Sequence, residues 1–407
     1  MGKPKIRFKG FDDDWEQRKL SDIYGSIGNA FVGTATPYYA EQGHFYLESN
    51  NVKDGQINHN SEIFINDEFY EKQKDKWLHT GDMVMVQSGH VGHAAVIPEE
   101  LDNTAAHALI MFRNPKEEIE PYFLNYEYQT DKAKKKIDNI TTGNTIKHIL
   151  ASDMQEFVVD VPKSEEQKVI AGYFCNIDHL ITLHQRKCDE TKKLKKYMLQ
   201  KMFPQSGQTV PEIRFSGFTD VWEQRKLGDV LERRIEQRQQ SKEYPRLAFA
   251  SGQGVIPLSE RKTNNREQLT KDEYTKKYLV TELNDIVYNP ANVKYGAIDR
   301  NKCGRGLISP IYVTFTTSEI SGFIERIVTS HDFQQRALRF EEGTVTKRQS
   351  VNPEDLVTLD ILVASKREEQ QKIATYFDSL DNLITLHQQK CDELRNIKKF
   401  MLQNMFA

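Results

Sequence analysis

The sequence lacks the features that identify membrane and secreted proteins. In the 407-residue chain no apolar run approaches the roughly 18–20 residues that a membrane span requires. The amino terminus, Met1-Gly2-Lys3-Pro4, has no apolar segment of the kind that a secretion signal contains. Four cysteines occur, and none forms a Cys-x-x-Cys pair. These absences predict a soluble, reduced protein of the cytoplasm and argue against a disulfide-rich secreted domain.

An excess of charge of one sign is also missing. The 56 Lys and Arg residues stand against 59 Asp and Glu residues, which gives a formal net charge of −3. This balance gives no support for non-specific nucleic-acid binding, although local patches can still bind DNA specifically. One basic cluster lies between residues 225 and 246, and a second lies at Lys192–Lys196. We interpret the second as a solvated helix face, with partner docking or phosphate contact as the alternative.

Catalytic motifs are missing as well. The chain has no phosphate loop, no strand-led dinucleotide fingerprint, no Gly-x-Ser-x-Gly and no His-Glu-x-x-His. The segment at 309–312 (Ser-Pro-Ile-Tyr) approaches the tetrapeptide that binds the adenine amine in methyltransferases, but it lacks the second proline. Asp160, Glu166 and Lys168 give a nuclease-like outline, which we attribute instead to a Glu- and Gln-rich helix start. We therefore expect no catalytic residue and no metal ligand in this chain.

What the sequence does contain is an internal repeat. Residues 4–20 return as residues 211–227 with 13 identities in 17 positions, and residues 180–190 return as 383–393 with 10 of 11. The sequences between these segments differ. This pattern indicates two halves of about 200 residues, each large enough to bury its own core. It suggests two different recognition domains on one repeated framework.

The second pair of repeats lies within two long helical patterns, at 164–203 and 366–407. Apolar residues recur there at alternating spacings of three and four without an intervening proline, which is typical of coiled-coil helices. Forty residues at a rise of 1.5 Å would form a rod of roughly 60 Å. The first helix leads from one insert to the other and the second returns, so we expect an antiparallel pair. His184 and His387 would lie near its middle as packing residues.

The inserts, at about 21–160 and 228–360, contain short apolar runs separated by turn sequences such as Asp54-Gly55. Helical patterns occur within them at 121–136 and 318–340. The predicted fold class is therefore α+β. It comprises two β-rich domains joined by two long helices that pair as an antiparallel coiled coil, with an internal pseudo-twofold repeat.

The repeated segments resemble the specificity (S) subunit of Type I restriction–modification enzymes along the whole chain. The resemblance rests on the Pro-x-Ile-Arg-Phe-x-Gly-Phe…Trp-Glu-Gln-Arg-Lys-Leu openings at 4–20 and 211–227, and on Glu-Gln-x-x-Ile-Ala at 166–171 and 369–374. It implies two target-recognition domains and two long conserved helices. We place them in chain order at 1–163, 164–203, 204–365 and 366–407.

The resemblance also implies a function and a set of partners. Each recognition domain would bind one half of a bipartite, asymmetric target in double-stranded DNA from the major groove, and the helices would set the spacer. Two modification subunits would methylate adenine N6 with S-adenosylmethionine, and restriction (translocase) subunits would use ATP and Mg for translocation and cleavage. This chain would be a non-catalytic subunit that binds no cofactor itself.

Candidate DNA contacts follow from chemistry, because Arg, Lys, Asn and Gln on loops commonly contact base edges or phosphates. In the first insert the candidates are Gln87, Ser88, Gly89, His90, Thr142, Asn144 and Lys147. In the second insert they are Asn289, Asn292, Lys294, Tyr295, Arg300, Thr346, Lys347 and Arg348. Tyr295 is chosen for stacking or for contact with a thymine methyl group. For each residue, a solvated surface position is the alternative.

Two other functional classes remain as alternatives. A protein-only coiled-coil adaptor would account for the long helices but not for two large, divergent inserts. A stand-alone DNA-modifying enzyme would need a catalytic set, and no such motif occurs in the sequence.

Overall fold

The computed structural model describes residues 3–143, 147–250, 252–261, 276–342 and 350–406. Contacts divide the chain into two units, Met1–Gln185 with Gln388–Ala407, and Arg186–His387. The boundaries fall within two long helices, so each unit contains one part of each helix. We call them unit 1 and unit 2.

Unit 1 is a mixture of short strands and helices. Its strands are β1 (Glu16–Lys19), β2 (Tyr24–Asn29), β3 (Tyr39–Ala40), β4 (His44–Leu47), β5 (Val52–Lys53), β6 (Gln56–Ile57), β7 (Phe64–Ile65), β8 (Met83–Val86), β9 (Ala94–Val96), β10 (Ala105–Ala106), β11 (Leu109–Pro115) and β12 (Val158–Val161). Its helices are α1 (Leu20–Ile23), α2 (Asp67–Glu71), α3 (Pro121–Glu127), α4 (Asp131–Ile140), α5 (Ala151–Gln155) and the first part of α6 (Ser164–Lys201).

A four-stranded antiparallel sheet organises unit 1, with the order β2-β11-β8-β9. Strand β8 is buried on both faces and supplies Met83–Val86 to two adjoining cores. The larger core packs this sheet against α3, α4 and the long helices. A second sheet, β10-β4-β7-β3, lies over a smaller aromatic cluster.

Unit 2 repeats this mixture. Its strands are β13 (Glu223–Lys226), β14 (Leu231–Arg234), β15 (Gln237–Arg238), β16 (Leu247–Ala250), β17 (Gly254–Pro257), β18 (Tyr278–Thr281), β19 (Ile286–Tyr288), β20 (Ile298–Arg300), β21 (Gly306–Ile308), β22 (Val313–Thr317), β23 (Glu341–Glu342), β24 (Ser350–Val351) and β25 (Asp360–Val363). Its helices are α7 (Ser321–Val328), α8 (His331–Ala337), α9 (Pro353–Leu356) and parts of α6 and α10 (Arg367–Leu402).

The main sheet of unit 2 has the order β14-β22-β19-β20 and is also antiparallel throughout. In sequence order this is the arrangement of β2, β11, β8 and β9 in unit 1. Its core packs the sheet against α7, α8 and the long helices. The structure thus confirms a mixed fold of strands and helices with two long helices.

The first repeated segment forms a strand in both units. Glu-Gln-Arg-Lys is β1 in unit 1 and β13 in unit 2. Each pairs antiparallel with the strand that leads into a long helix, β12 in one unit and β25 in the other. The tryptophan before each strand, Trp15 or Trp222, is buried and makes an edge contact with a phenylalanine of α3 or α7.

A buried ion pair joins the two kinds of repeat in each unit. In unit 1, Arg7 donates from Nε and Nη2 to the two carboxylate oxygens of Glu166 at 2.6 and 2.7 Å. In unit 2, Arg214 donates in the same way to Glu369 at 2.5 and 2.8 Å. Such bidentate pairs fix geometry as well as charge. The repeated sequence segments therefore form the same arginine–glutamate ion pair in both units.

The long helices contact each other within each unit. In unit 1, Lys398 donates to Asp178 at 2.8 Å and the Cys391 thiol donates to the Ile181 carbonyl at 3.6 Å. Residue numbers rise on one helix as they fall on the other, so these segments run antiparallel.

Unit 2 shows the same pattern. Lys195 pairs with Asp381, and the buried Cys188 thiol donates to the Ile384 carbonyl at 3.8 Å. The segments of α6 and α10 in this unit are therefore antiparallel too. Across the described parts of the chain, no helix is both long and apolar enough to span a membrane.

Candidate nucleic-acid interface

Two segments of unit 1 that lie more than fifty residues apart in sequence form one surface. The loop between β8 and β9 contains Gln87–His90. Its Gln87 carbonyl accepts a hydrogen bond from Ile149 N at 3.0 Å, and Gly89 N donates to the Lys147 carbonyl at 3.2 Å. These main-chain bonds join the loop to the segment that includes Thr142 and Lys147. The structure thus brings the predicted residues of the two segments together.

Local backbone geometry supports this surface. Thr142 and His148 exchange main-chain hydrogen bonds at 2.8 Å in both directions and so form an isolated antiparallel bridge. Gly89 and Gly92 have φ values of +78° and +87°, a region that favours glycine. A Cβ on Gly92 would lie 3.0 Å from the Ile137 side chain of α4, so this loop needs glycine to pack against that helix.

Positive charge next to these loops comes from α4 as well as from Lys147. Lys147 pairs with Asp138 at 2.9 Å, and both side chains remain more than half exposed. Lys134 and Lys135 of α4 are also exposed. These two lysines were not among the predicted contacts, although the Lys-Ala-Lys-Lys-Lys run at 132–136 was a usable signal.

The corresponding loop of unit 2 connects β19 and β20. It contains a short 3-10 helix, Pro290–Tyr295, which Gly296 ends with a φ of +71°. Tyr295 is 64% exposed. Lys294 Nζ lies 5.5 Å from the centre of the Tyr295 ring, and Asn292 is exposed. These three residues offer a stacking surface, an amide and a cation.

Two predicted contacts of unit 2 have structural roles instead of a surface position. Asn289 is buried, and its side-chain oxygen accepts a hydrogen bond from Ala291 N at 3.1 Å, which caps the 3-10 helix. Arg300 was expected to contact DNA. Its guanidinium, 11% exposed, is bound by Glu325 at 2.7 Å and by Asp378 at 2.7 Å. We do not retain these two residues as base contacts.

Four predicted contacts, Asn144, Thr346, Lys347 and Arg348, lie outside the described residues. Strand β24, which follows residues 343–349, lies beside the loop of unit 2. There the Tyr288 hydroxyl donates to the Val351 carbonyl at 3.2 Å.

The basic cluster between 225 and 246 is engaged in ion pairs to a large extent. Its residues bind carboxylates on other segments of unit 2, in the pairs Arg225–Glu319, Lys226–Asp360, Arg233–Glu354 and Arg234–Asp285. The cluster therefore stabilises the fold more than it supplies unpaired charge to a ligand.

The nuclease-like outline has a structural explanation. Its three residues bind separate partners, in the pairs Asp160–Lys132, Glu166–Arg7 and Lys168–Glu118. Burial raises the pKa of Asp160, but hydrogen bonds from Lys132 and Gln17 outweigh it and bring the pKa below its ordinary value. Within the described residues, no group of three or more His, Cys, Asp and Glu side chains could hold a metal ion.

Two histidines, His90 and His93, lie in the first loop. The His90 and His93 rings lie 6.3 Å apart between centres. His93 Nδ1 accepts a hydrogen bond from Asp54 N at 3.2 Å, and burial lowers the pKa of His93. The ring is therefore neutral near pH 7, with its proton on Nε2.

Comparison with known proteins finds similarity to one family. Residues 12–193 match the family described as "Type I restriction modification DNA specificity domain". A protein of Methanocaldococcus jannaschii, named "Putative type I restriction enzyme MjaX specificity subunit", is 23% identical over 407 residues, which covers 95% of this chain and 91% of that protein. The MjaVIII specificity subunit of the same organism is 23% identical over 192 residues, or 46% of this chain and 45% of that protein.

A solved structure shows the same fold. The crystal structure of a Type I restriction–modification S subunit from M. genitalium matches with a TM-score of 0.66 at 12% identity, and covers 100% of this chain and 99% of that one.

Proposed function

Because residues 12–193 match the specificity-domain family and a specificity subunit is similar over 95% of this chain, we propose that the chain is a Type I restriction–modification specificity subunit. It would recognise a DNA target in two parts, one bound by each unit. The observation that carries this proposal is the placement of two unlike loops at one position of a repeated fold. The loop after β8 in unit 1 and the loop after β19 in unit 2 connect the same two strands of sheets with the same order.

Unlike loops at like positions would recognise unlike half-sites. In unit 1 we retain Gln87, Ser88, His90 and Thr142 as base contacts, with Lys147 on phosphate. Gly89 supplies the turn. In unit 2 we retain Asn292 and Tyr295 as base contacts, with Lys294 on phosphate. Amides can bind adenine edges in the major groove and lysines fix the position of the duplex. The target would therefore be asymmetric.

The long helices would set the distance between the half-sites. The antiparallel contacts within each unit support a coiled coil formed by α6 and α10. A rod of roughly 60 Å is long enough to separate two recognition domains by one turn of B-DNA, which is roughly 34–36 Å. The length of the DNA spacer would then be set by the length of the helices, without contacts to the spacer bases.

A duplicated apolar surface would bind the modification subunits. In unit 1 it comprises Leu180, Ile397 and Phe400, and in unit 2 it comprises Leu383, Leu194 and Tyr197, all at least 41% exposed. The pairs Leu180–Leu383, Leu194–Ile397 and Tyr197–Phe400 are each 203 positions apart. The same surface twice fits two copies of one partner. Methyl transfer to adenine N6 and DNA cleavage would be catalysed by partner subunits, with this chain non-catalytic.

Exchange of one insert tests the proposal. Residues 228–357 are replaced by the corresponding segment of another specificity subunit, and the chain is co-expressed with its modification subunits. Methylome sequencing should show a change in one half-site and retention of the other half-site and the spacer. A change in both half-sites would contradict separate recognition by the two units.

A length change provides the matched control. Lengthening the chain just after Pro204 should alter the spacer and leave both half-sites intact. If the complex with modification subunits enriches no split sequence from a random DNA library, the protein-only adaptor becomes the better interpretation. Methylation by this chain alone would instead favour the stand-alone enzyme.

A further inference from the structure

A cleft of about 260 Å³ lies in unit 1 at the base of the β8–β9 hairpin. The hairpin contributes Gly92 and His93, and the end of α3 contributes Asn125 and Tyr128. Gly55, at a φ of +84°, lines it too, and a Cβ there would clash with the Gln129 side chain. The cleft therefore has a defined wall, and none of these residues has a role in the proposed recognition of DNA.

The floor of the cleft has hydrogen-bonding capacity to spare. Asn125 is 1% exposed, and its Nδ2 donates to the Gly55 carbonyl at 2.8 Å, which fixes the orientation of the amide. Its Oδ1 is then a buried acceptor that meets no donor among the described residues. The buried hydroxyl of Tyr128 also has no hydrogen-bond partner among the described residues. A buried polar atom without a hydrogen-bond partner is unfavourable, so the floor favours a ligand that donates hydrogen bonds.

The rim of the cleft is cationic. Lys134 of α4 and Lys399 of α10 form no salt bridge with another described residue. Arg395, 48% exposed, pairs with the exposed Asp392 at 3.2 Å and donates to Gln185 at 3.3 Å. Lys398 also lines the cleft, but Asp178 neutralises it. The carboxylates that line the cleft are Asp54 and Asp131, both exposed. Lys134 and Lys399 thus remain as cations without an ion-pair partner among the described residues, and together with Arg395 they favour an anion at the rim.

In unit 2 the position that corresponds to Asn125 has partners within the unit. Helix α7 corresponds to α3, since Gln370 accepts a hydrogen bond from Ile320 N just before α7, as Gln167 does from Glu120 N just before α3. Glu325 then stands where unit 1 has Asn125. It is bound by Arg300 at 2.7 Å and by Lys302 at 2.6 Å. In unit 2 the buried carboxylate of Glu325 is therefore bound by cations of the same unit. In unit 1 the buried acceptor Asn125 Oδ1 has no hydrogen-bond partner among the described residues.

We propose that the cleft of unit 1 binds a nucleotide. Its phosphate would lie against Lys134, Arg395 and Lys399, and a base amine or sugar hydroxyl would donate to Asn125 Oδ1. A nucleotide combines the anion that the rim favours with the donors that the floor needs. The source is either a free nucleotide or a nucleotide unit of a DNA strand. The proposal is independent of base recognition by the loops, because binding can be measured on the chain without its target.

Calorimetric titration of the full chain with AMP tests the inference, with inorganic phosphate and adenosine as partial probes. AMP should bind more tightly than either partial probe. Lys399→Ala and Asn125→Leu should each weaken AMP binding about tenfold, since each removes one buried or charge-assisted contact. The control is Lys196→Ala, which changes the equivalent lysine of unit 2, 203 positions earlier, and should leave AMP affinity within about twofold.

Lys399 is exposed, so its variant should fold even if Asn125→Leu does not. Absence of AMP binding, or binding that Lys399→Ala leaves unchanged, overturns the proposal and leaves water as the occupant. If duplex target DNA displaces AMP, the source is a DNA strand. If AMP and DNA bind together, the source is a free nucleotide. Loss of split-site selection with retained AMP binding would refute the DNA function and not the cleft.

Discussion

Unit 1 and unit 2 place different chemistry at one buried position of a common framework. Near the end of α3 unit 1 has a neutral amide, Asn125, and at the same point of α7 unit 2 has a carboxylate, Glu325. The carboxylate requires cations, and β20 supplies Arg300. The corresponding residue of β9, Val96, is apolar. A single buried charge therefore determines much of the polar interior around it.

One repeated contact between the framework and the inserts tolerates this divergence because its partner atom in the insert belongs to the main chain. Gln167 accepts a hydrogen bond from Glu120 N at 3.0 Å and donates to the Pro162 carbonyl at 2.7 Å. Gln370 makes the same two contacts, with Ile320 N at 3.1 Å and the Ala364 carbonyl at 2.9 Å. Glu120 and Ile320 have different side chains but donate through the same main-chain N–H group. The Gln167 and Gln370 side chains thus fix the position of each insert through a contact that does not restrict the residue type at 120 or 320.

The largest effect is expected where unit 2 depends on its internal cation. Arg300→Met removes the buried guanidinium that binds both Glu325 and Asp378. Glu325 keeps Lys302 and Asp378 keeps Arg326, and we expect the loss to destabilise unit 2 by about 3 kcal/mol. Hydrogen exchange, followed by mass spectrometry of peptides from each unit, should show faster exchange in unit 2 alone. Arg300→Lys should retain part of the stability. An unchanged exchange rate in α7 would show that the charge network is not what stabilises this unit.

The framework predicts equal effects in the two units. Arg7→Met and Arg214→Met each remove a bidentate partner from a buried glutamate, so each should cost its own unit about 2 kcal/mol. The two glutamates are 2% and 0% exposed, which is why we expect similar costs. Peptide-resolved hydrogen exchange again provides the measurement. If one unit loses more than twice as much stability as the other, the two ion pairs have the same geometry but contribute differently to stability.

Sequence reasoning located the long helices well because their signal is local. An apolar period without proline predicts helices at 164–203 and 366–407, and the structure has them at Ser164–Lys201 and Arg367–Leu402. Strands β1 and β13 were not predicted, since Glu-Gln-Arg-Lys has no apolar alternation. Main-chain pairing with β12 and β25 makes them strands.

The candidate site was harder to predict because its contacts span long sequence separations. The loop at Gln87–His90 follows from a turn signal, but its contact with the segment near Lys147 is made by main-chain atoms and leaves no sequence pattern. Arg300 resembled a surface contact until its partners were known, and Asp378 lies 78 positions away. The cleft combines β9 with α10, which no local pattern joins.

The units should also differ in pH dependence. Burial raises the pKa of Glu127 to about 8 in unit 1, and Ile327 at the corresponding position of unit 2 does not titrate. The unfolded chain ionises this carboxyl at its ordinary value of 4.5, so the stability of unit 1 should fall as pH rises from there to about 8. Glu127→Gln should remove this fall and stabilise unit 1 by about 1.5 kcal/mol at pH 8.

Hydrogen-exchange protection of unit 1 across pH 5–9, corrected for intrinsic exchange, provides the measurement. Protection in unit 2 serves as the internal control. If the variant and the parent keep the same pH slope in unit 1, Glu127 is ionised in the folded protein and the predicted shift is wrong.

The smallest expected difference concerns the lysines that join the long helices. Lys398→Met leaves Asp178 with the Tyr126 hydroxyl as a donor at 2.8 Å, whereas Lys195→Met leaves Asp381 bound to Arg326 at 2.9 Å. A retained full charge compensates better than a hydroxyl, and Lys398 is also the more buried lysine, 13% exposed against 25%. We expect costs of about 1 kcal/mol for Lys398→Met and about 0.5 kcal/mol for Lys195→Met. Methionine retains the length of the apolar stem, so the difference reports charge. Equal costs in hydrogen exchange of the two units would show that Arg326 does not compensate Asp381.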